Sequence, residues 1–257
     1  MFIHIPAKNL YVSEPDPRHF GNPKNDDPKV NWLKSRFHFS FAEYYDPSNQ
    51  SFGALTVMND DLVQPNKGFG EHPHQNMEIV TYIVQGELTH EDSKGNKESL
   101  GRGSAQYMSA GSGVFHSEYN LSKKEVCRFI QIWIKPRQTN TKVQYKSYRG
   151  ENGQANNKWF HLVGDLQGNS QAPAKINQDT NIWVSEFSTE QRFEIKEGRQ
   201  AYLLCVEGQF EMTIDSKQPL QELKSQLINQ YDGVKLFKSI VLKPIDKAHV
   251  LLVEMNK

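Results

Sequence analysis

Apolar residues in this chain recur at every second position in short runs and almost nowhere at the helical period. That leaves an antiparallel all-β protein as the architecture the sequence can build. β-Branched and aromatic runs at residues 51–58, 78–85, 87–91, 126–134, 181–187, 202–214, 239–242 and 249–254 read as strands, separated by Gly, Asn, Asp or Ser turns. Residues 92–97 (Asp-Ser-Lys-Gly-Asn-Lys) read as a hairpin turn in which Gly95 takes a positive φ. One segment breaks the rhythm: residues 215–230 carry Leu220, Leu223 and Leu227 at helical spacing and are expected to form a short surface helix between two strands.

The texture changes along the 257 residues, a length that accommodates two domains. Residues 14–29 contain Pro15, Pro17, Pro23 and Pro28, which fix φ and remove donors, so an irregular surface segment is expected. Residues 36–47 are dense in aromatics, with Phe37, Phe39 and Phe41 on one face, placed to plug a barrel or an interdomain core. After Lys135-Pro136 the chain turns polar, which sets a boundary near residue 140 and predicts domains at 1–140 and 141–257. The run from Tyr202 to Ile214, centred on Gly208, echoes the run from Tyr82 to His90, centred on Gly86. Strand, glycine bend and strand in both places point to an internal duplication whose second copy lacks metal ligands.

Lys+Arg and Asp+Glu each number 30, so no net charge draws the chain to nucleic acid or to an anionic membrane. No apolar run is long enough to span a bilayer. The start, Met-Phe-Ile-His-Ile-Pro, lacks the basic-then-apolar layout of a secretory signal. Cys127 and Cys205 both lie in β-like apolar runs, and two buried free thiols fit a reducing compartment, the cytoplasm or, in a eukaryote, the nucleus. A monomer is expected, with no direct contact to nucleic acid or membrane.

Two triplets carry the chemistry: His72-Pro73-His74 and His116-Ser117-Glu118. Residues two apart on a strand share a face, so each triplet can aim two ligands into one space. Three imidazoles and one carboxylate suit a redox-capable divalent metal and leave positions open for a reactant. Pro73 bars ordinary ladder pairing, and the Gly-rich turns 66–70 and 110–113 precede the two triplets, which places both at a rim. Gly111 and Gly113 serve those turns. Glu78 has the same parity as His74, so spacing alone leaves it open as a ligand beside Glu118. Lone histidines (His4, His19, His38, His161 and His249) read as ordinary core or surface residues, while His90 continues the strand pair of the metal triplets. Met77, Tyr82, Met108, Phe115, Gln131 and Trp133 are candidates for an apolar cavity lining.

These residues resemble the cupins: His72-x-His74-x3-Glu78 with Gly86 corresponds to the first motif and Gly113-x2-His116-x3-Asn120 to the second. More narrowly, the chain is similar to the pirins, especially bacterial pirin-like quercetinases. The residues that carry this are Gly68–Tyr82 (GFGEHPHQNMEIVTY), Gly86–Asn96 (GELTHEDSKGN), Met108–Asn120 (MSAGSGVFHSEYN) and the Gln-Ile-Trp-Ile run at 131–134. The match is dense over residues 36–136 and loose afterwards. It implies an all-β bicupin, two antiparallel β-barrel (jelly-roll-like) domains with the metal in the first. It assigns the metal to His72, His74, His116 and Glu118, and leaves Glu78 beside the site. The expected metal is one divalent ion per chain, Fe2+ before Mn, Co, Ni, Cu or Zn.

The resemblance also implies an activity: a metal-dependent dioxygenase of the quercetin 2,3-dioxygenase type, taking a small aromatic, flavonol-like substrate and O2 and releasing CO. Glu118 is then the catalytic base for the enol proton. The alternative is a redox-responsive, metal-binding regulator of pirin type that binds a protein partner, a transcription factor or a metabolic enzyme. A deep apolar cavity beside the metal favours catalysis; an exposed apolar patch favours binding.

Overall fold

The computed structural model describes every residue except Gly21, 23–30, Asn152 and 216–224. The chain divides into two compact units. The first comprises Tyr11–Asn152 and Ile176–Gln178, the second Met1–Leu10, Gly153–Lys175 and Asp179–Lys257. The division differs from a cut at 140: the first ten residues belong with the second unit, because Phe2–Ile5 adds a strand beside Gly233–Leu236. Nothing in the local sequence of a four-residue strand reveals so distant a partner.

In the first unit a seven-stranded antiparallel sheet runs in the order Gln144–Tyr148, Ala105–Ser109, Glu78–Gln85, Cys127–Ile134, Leu55–Val63, Leu33–Phe37, Tyr11–Ser13. A four-stranded sheet, Lys67–His74, Val114–Asn120, Glu87–Asp92, Lys97–Gly101, covers it. These are two open sheets stacked as a cupin-like sandwich rather than a closed barrel. Leu88 and Leu100 of the smaller sheet pack with Ile83, Cys127, Phe129 and Val63 of the larger, under Trp32 and Leu33. Lys67–His74 is an edge strand, where Pro73 removes no ladder bond that the sheet needs. The hairpin at 92–97 closes with Gly95 at φ +90°.

The second unit is a nine-stranded sheet built on the pairing of two long strands, Arg199–Ile214 and Ile240–Asn256. Gly208, at φ +77° and beside a register shift, bends the first of them, and residues from both sides of the bend (Leu203 and Cys205, Phe210 and Met212) share one core. The same glycine device separates Glu78–Gln85 from Glu87–Asp92, where Gly86 sits at φ +71°. Both cysteines are buried, and neither is in a disulfide.

Three element assignments change. The strand expected at 51–58 begins at Leu55 and runs to Val63, because Phe52 and Leu55 close a tight turn on Gly53. Runs 239–242 and 249–254 belong to one strand. The helix expected at 215–230 is not formed at its end: Gln226–Asn229 is a strand paired to Gln209–Met212, and residues 216–224 lie outside those described. Of the proline-rich stretch 14–29, Pro17–Phe20 forms a single 3-10 turn, and most of the rest lies outside the described residues. Among the described residues no helix is long and apolar enough to cross a membrane.

Candidate metal centre and its cavity

His72 and His116 sit directly opposite each other on adjacent antiparallel strands, and His74 pairs with Val114 two positions along. The three rings converge, with centroids 4.5–4.8 Å apart. Gly111, at φ +39°, makes the turn that feeds Val114–Asn120; a Cβ there would lie 2.1 Å from the Thr141 carbonyl oxygen, so only glycine fits. Glu118 lies two along from His116 and keeps its parity, in regular register with Glu87–Asp92, while the register shift against Lys67–His74 places the extra residue on that edge strand. Glu118 thereby comes within 4.8 Å of ligand atoms of His116 and His90, whereas His72, His74 and His116 form the other convergent group. Two overlapping triads thus share His116.

The hydrogen bonds of the imidazoles fix their tautomers in favour of a metal. His72 Nδ1 lies 2.7 Å from the Gly70 carbonyl oxygen and must donate to it, which leaves a lone pair on Nε2. His90 Nε2 lies 3.3 Å from Asp92 Oδ2 and donates there, leaving His90 Nδ1 to accept from His116 Nδ1 at 3.4 Å. His116 Nε2 is then also a bare lone pair, and it faces His72 Nε2 at 3.1 Å. Two acceptors pressed together without a proton between them are repulsive, and a cation placed among them relieves that. Burial lowers the pKa of all three: His72 below its usual value, His74 to about 4 and His116 to about 2, with the neighbouring histidines adding to the effect on the last two. Neutral imidazole is the form a metal takes.

Asp92 is itself held by the backbone N–H groups of Lys94 and Asn96 and by the Asn96 amide, and His90 stacks on Tyr145 at 4.5 Å. This Asp92–His90–His116 chain orients a ligand from behind. His90→Ala is expected to weaken metal affinity about 10–100-fold while leaving the fold intact, measured by metal-competition titration.

Glu118 is fully enclosed. Its Oε1 accepts from the Gln106 amide and its Oε2 from Gln131 Nε2 (2.8 Å), and the single hydroxyl proton of Thr81 is within reach of either Glu118 Oε1 (3.2 Å) or Gln131 Oε1 (2.8 Å). Burial raises its pKa to about 7, against the lowering effect of these three donors. A carboxyl poised near neutrality can both take and return a proton. Glu78 is elsewhere: its carboxylate accepts from Tyr107 Oη (2.6 Å), Ser109 Oγ (2.8 Å) and the backbone N–H of Asn177 (3.0 Å), ties that clamp neighbouring segments.

Beside the histidines lies a cavity of about 180 Å³, walled by Phe20, Phe37, Phe41, Phe69 and Trp133 and floored by Ser13, Ser35, Asn59, Asp61 and Gln131. Of the six lining candidates, Gln131 and Trp133 are there; the other four are not. Tyr82 has the wrong parity: Thr81 is the residue paired with Gln131, and Tyr82 points to the opposite face, fully buried. Phe115, adjacent to His116, points away and is 49% exposed. Met108 and Met77 pack with Ile79, Ala110 and Val114 instead. Phe37 and Phe41 line the cavity, while Phe39 is buried outside its wall. The alternating sequence missed the polar floor, since an Asn-Asp-Asp run inside a strand does not look like a wall.

Asp61 is fully buried with Ser35 as its hydrogen-bond partner, and desolvation first, then the charges of Asp60 and Glu118, push its pKa up to about 8 despite the Ser35 bond. Between the ordinary aspartate pKa of about 4 and that value, the folded protein holds a proton the unfolded chain has lost, so stability falls as pH rises through this window. Asp61→Asn is expected to flatten that fall, read as thermal midpoints of wild type and variant at pH 5 and pH 8. In the second unit, His161 stacks on Trp183 (3.9 Å) and bonds Asn181 and Ser170, and His249 meets Glu207 at 3.0 Å.

Comparison with known proteins agrees with this geometry. Residues 21–134 match the pirin family model and residues 167–255 match that of the quercetinase C-terminal cupin domain. A pirin-like protein of Caulobacter vibrioides is 35% identical over 87% of this chain and 92% of its own length. Quercetin 2,3-dioxygenase of Escherichia coli K12 is 40% identical over 69% of this chain and 75% of its own. The solved structure of YhhW from Escherichia coli covers 99% of this chain and 97% of that one, with a TM-score of 0.80 and 30% identity. The same bacterial pirin has also been solved in complex with nickel(II). With both halves matched by family models and relatives aligned over most of their length, the chain belongs to the pirin family.

Proposed function

We propose that the chain is a metal-dependent dioxygenase of the quercetin 2,3-dioxygenase type, which opens a flavonol ring with O2 and releases CO. His72, His74, His116 and Glu118 hold one divalent metal, Fe2+ before other first-row ions. The observation that carries the reading is the coincidence of bare imidazole lone pairs, a buried carboxyl held by the Gln106 and Gln131 amides and an aromatic-walled cavity in one place. The cavity weighs against a purely regulatory role. The relatives named quercetin 2,3-dioxygenase and the nickel(II) complex of YhhW support the substrate class and the metal.

The bound metal supplies Lewis acidity toward a hydroxyl and a site for oxygen chemistry. Glu118 accepts the enol proton at a carboxylate oxygen. Gln106, Thr81 and Gln131 keep that carboxylate in one orientation, so no reorganisation is needed as the proton arrives. The phenylalanines and Trp133 exclude water and present flat faces to a planar ring. An iron-loaded sample is expected to consume O2 and release CO with quercetin. Glu118→Gln is expected to lose about 100-fold or more in rate while keeping most of its metal. Absence of flavonol-dependent O2 uptake overturns the reading, and full activity in the variant removes Glu118 from the chemistry.

A further inference from the structure

The cavity has a second polar end that the metal chemistry does not use. Asn59 and Asp61 lie two apart on Leu55–Val63 and so face the same way, into the cavity. Asn59 is opposite Gln131, the residue that holds Glu118, and Asp61 is opposite Ser35, which is opposite Ser13, so a polar row leads across the sheet from Gln131 to Ser13. Both side chains are nearly inaccessible, at 3% and 4% exposure. Asn59 Oδ1 is buried with no hydrogen-bond partner among the described residues, and so is Nε1 of Trp133, which packs edge-on to His74 at 4.8 Å. Asp61 has Ser35 as its only partner among them, on Oδ1, which leaves Oδ2 free. Buried acceptors and donors left open in a wall of phenylalanines are costly, and a site that awaits a ligand's hydroxyl groups explains them.

The charge of the lining narrows the ligand. Glu43, Asp61 and Glu118 line the cavity, and among the described residues no lysine or arginine does. At Asn59 and Asp61 an aromatic carboxylate or a phosphate meets no cationic side chain among them, and the only counter-charge the site offers is a metal held by the histidines. The raised pKa of Asp61 keeps its carboxyl protonated near neutrality, so it can donate as well as accept, which suits an uncharged hydroxyl.

We infer that Asn59 and Asp61 form a hydroxyl-recognising subsite on the Leu55–Val63 wall of the cavity, on a different strand from the histidines, so that the preferred ligand is a neutral aromatic that carries hydroxyls besides the one directed at the metal. The inference rests on the reading of this cavity as the substrate site. It makes Asn59 and Asp61 specificity-determining, with no part in the proton transfer assigned to Glu118.

The test is direct binding, by calorimetry, of quercetin, of 3-hydroxyflavone (which keeps the hydroxyl–carbonyl edge and lacks the peripheral hydroxyls) and of benzoate to zinc-loaded protein under nitrogen. Wild type is expected to prefer quercetin over 3-hydroxyflavone by about tenfold and to bind benzoate weakest. Asn59→Leu and Asp61→Leu are each expected to cut that preference below about threefold by weakening quercetin alone, while Asp61→Asn retains most of it. Because the preference is a ratio within each variant, a fraction of misfolded protein cancels, and Asp61→Asn with Asn59→Leu decides the matter if Asp61→Leu does not fold. A preference unchanged in the leucine variants, equal binding of the two flavonols by wild type, or tightest binding of benzoate overturns the subsite alone. Binding of neither flavonol by wild type overturns the functional reading with it.

Discussion

Replacing His72 and His74 together with alanine is expected to abolish metal binding, from about one ion per chain to background by elemental analysis, while the sheets keep their fold. The two residues lie on an edge strand and belong to none of the core clusters. What they contribute in the metal-free protein is a penalty. Burial lowers the pKa of His72, and lowers that of His74 to about 4, and the unfolded chain titrates near the ordinary histidine value of about 6.5. As pH falls below that value, the unfolded chain gains protons that the folded protein cannot, so folded stability declines until the folded-state pKa is reached. The double variant lacks both groups and relieves His116 of two neighbours that hold its pKa down. It is therefore expected to lose less stability than metal-free wild type between pH 6.5 and pH 4, by thermal melting. A variant that is unfolded at pH 7 shows instead that the metal is structural.

The two histidine triplets could be read from the sequence because their geometry is local. A period of two on a strand needs no knowledge of the fold, and register does the rest by setting His116 against His72. The fourth position could not be read that way. Glu78 and Glu118 are equivalent by parity, and the difference between them is made by which strand and sheet each one joins. Resemblance, not spacing, distinguished the two. The cavity lining failed for a related reason. An aromatic such as Tyr82 attracts attention as a wall residue, yet its neighbour Thr81 faces inward, and a slip of one residue reverses the side. The supporting groups Gln106, Thr81, Asp92 and His90 are individually unremarkable in sequence. They become a cradle only when strands 12 to 50 residues apart are brought side by side. The hydrophobic rhythm also hides buried acids. The expected strand stops at residue 58, and in the structure residues 59–61 are the middle of a strand.

The same parity that sends Asp61 into the cavity sends Asp60 to the other face of the sheet, where it meets a different fate. Arg128 donates to it with both arms of the guanidinium, Nε to Oδ1 at 2.9 Å and Nη2 to Oδ2 at 2.6 Å. Asp60 is 0% and Arg128 6% exposed, so the pair has been taken out of water, and mutual attraction in a low-dielectric setting is what offsets that desolvation. Removing one member is therefore worse than removing both. Asp60→Ala is expected to destabilise the protein by about 3–5 kcal/mol, because the buried guanidinium loses the carboxylate that meets it through both Nε and Nη2. Asp60→Leu combined with Arg128→Met, which fills the space with apolar groups, is expected to recover most of that loss. Urea denaturation of Asp60→Leu, of Arg128→Met and of the double variant closes the cycle and gives the coupling energy. A loss below about 1 kcal/mol in Asp60→Ala shows that water reaches the guanidinium and that the pair behaves as a surface bridge. The expected loss, with recovery in the double variant, shows instead that the cost comes from leaving one buried charge without the other, on the face of Leu55–Val63 opposite to Asn59 and Asp61.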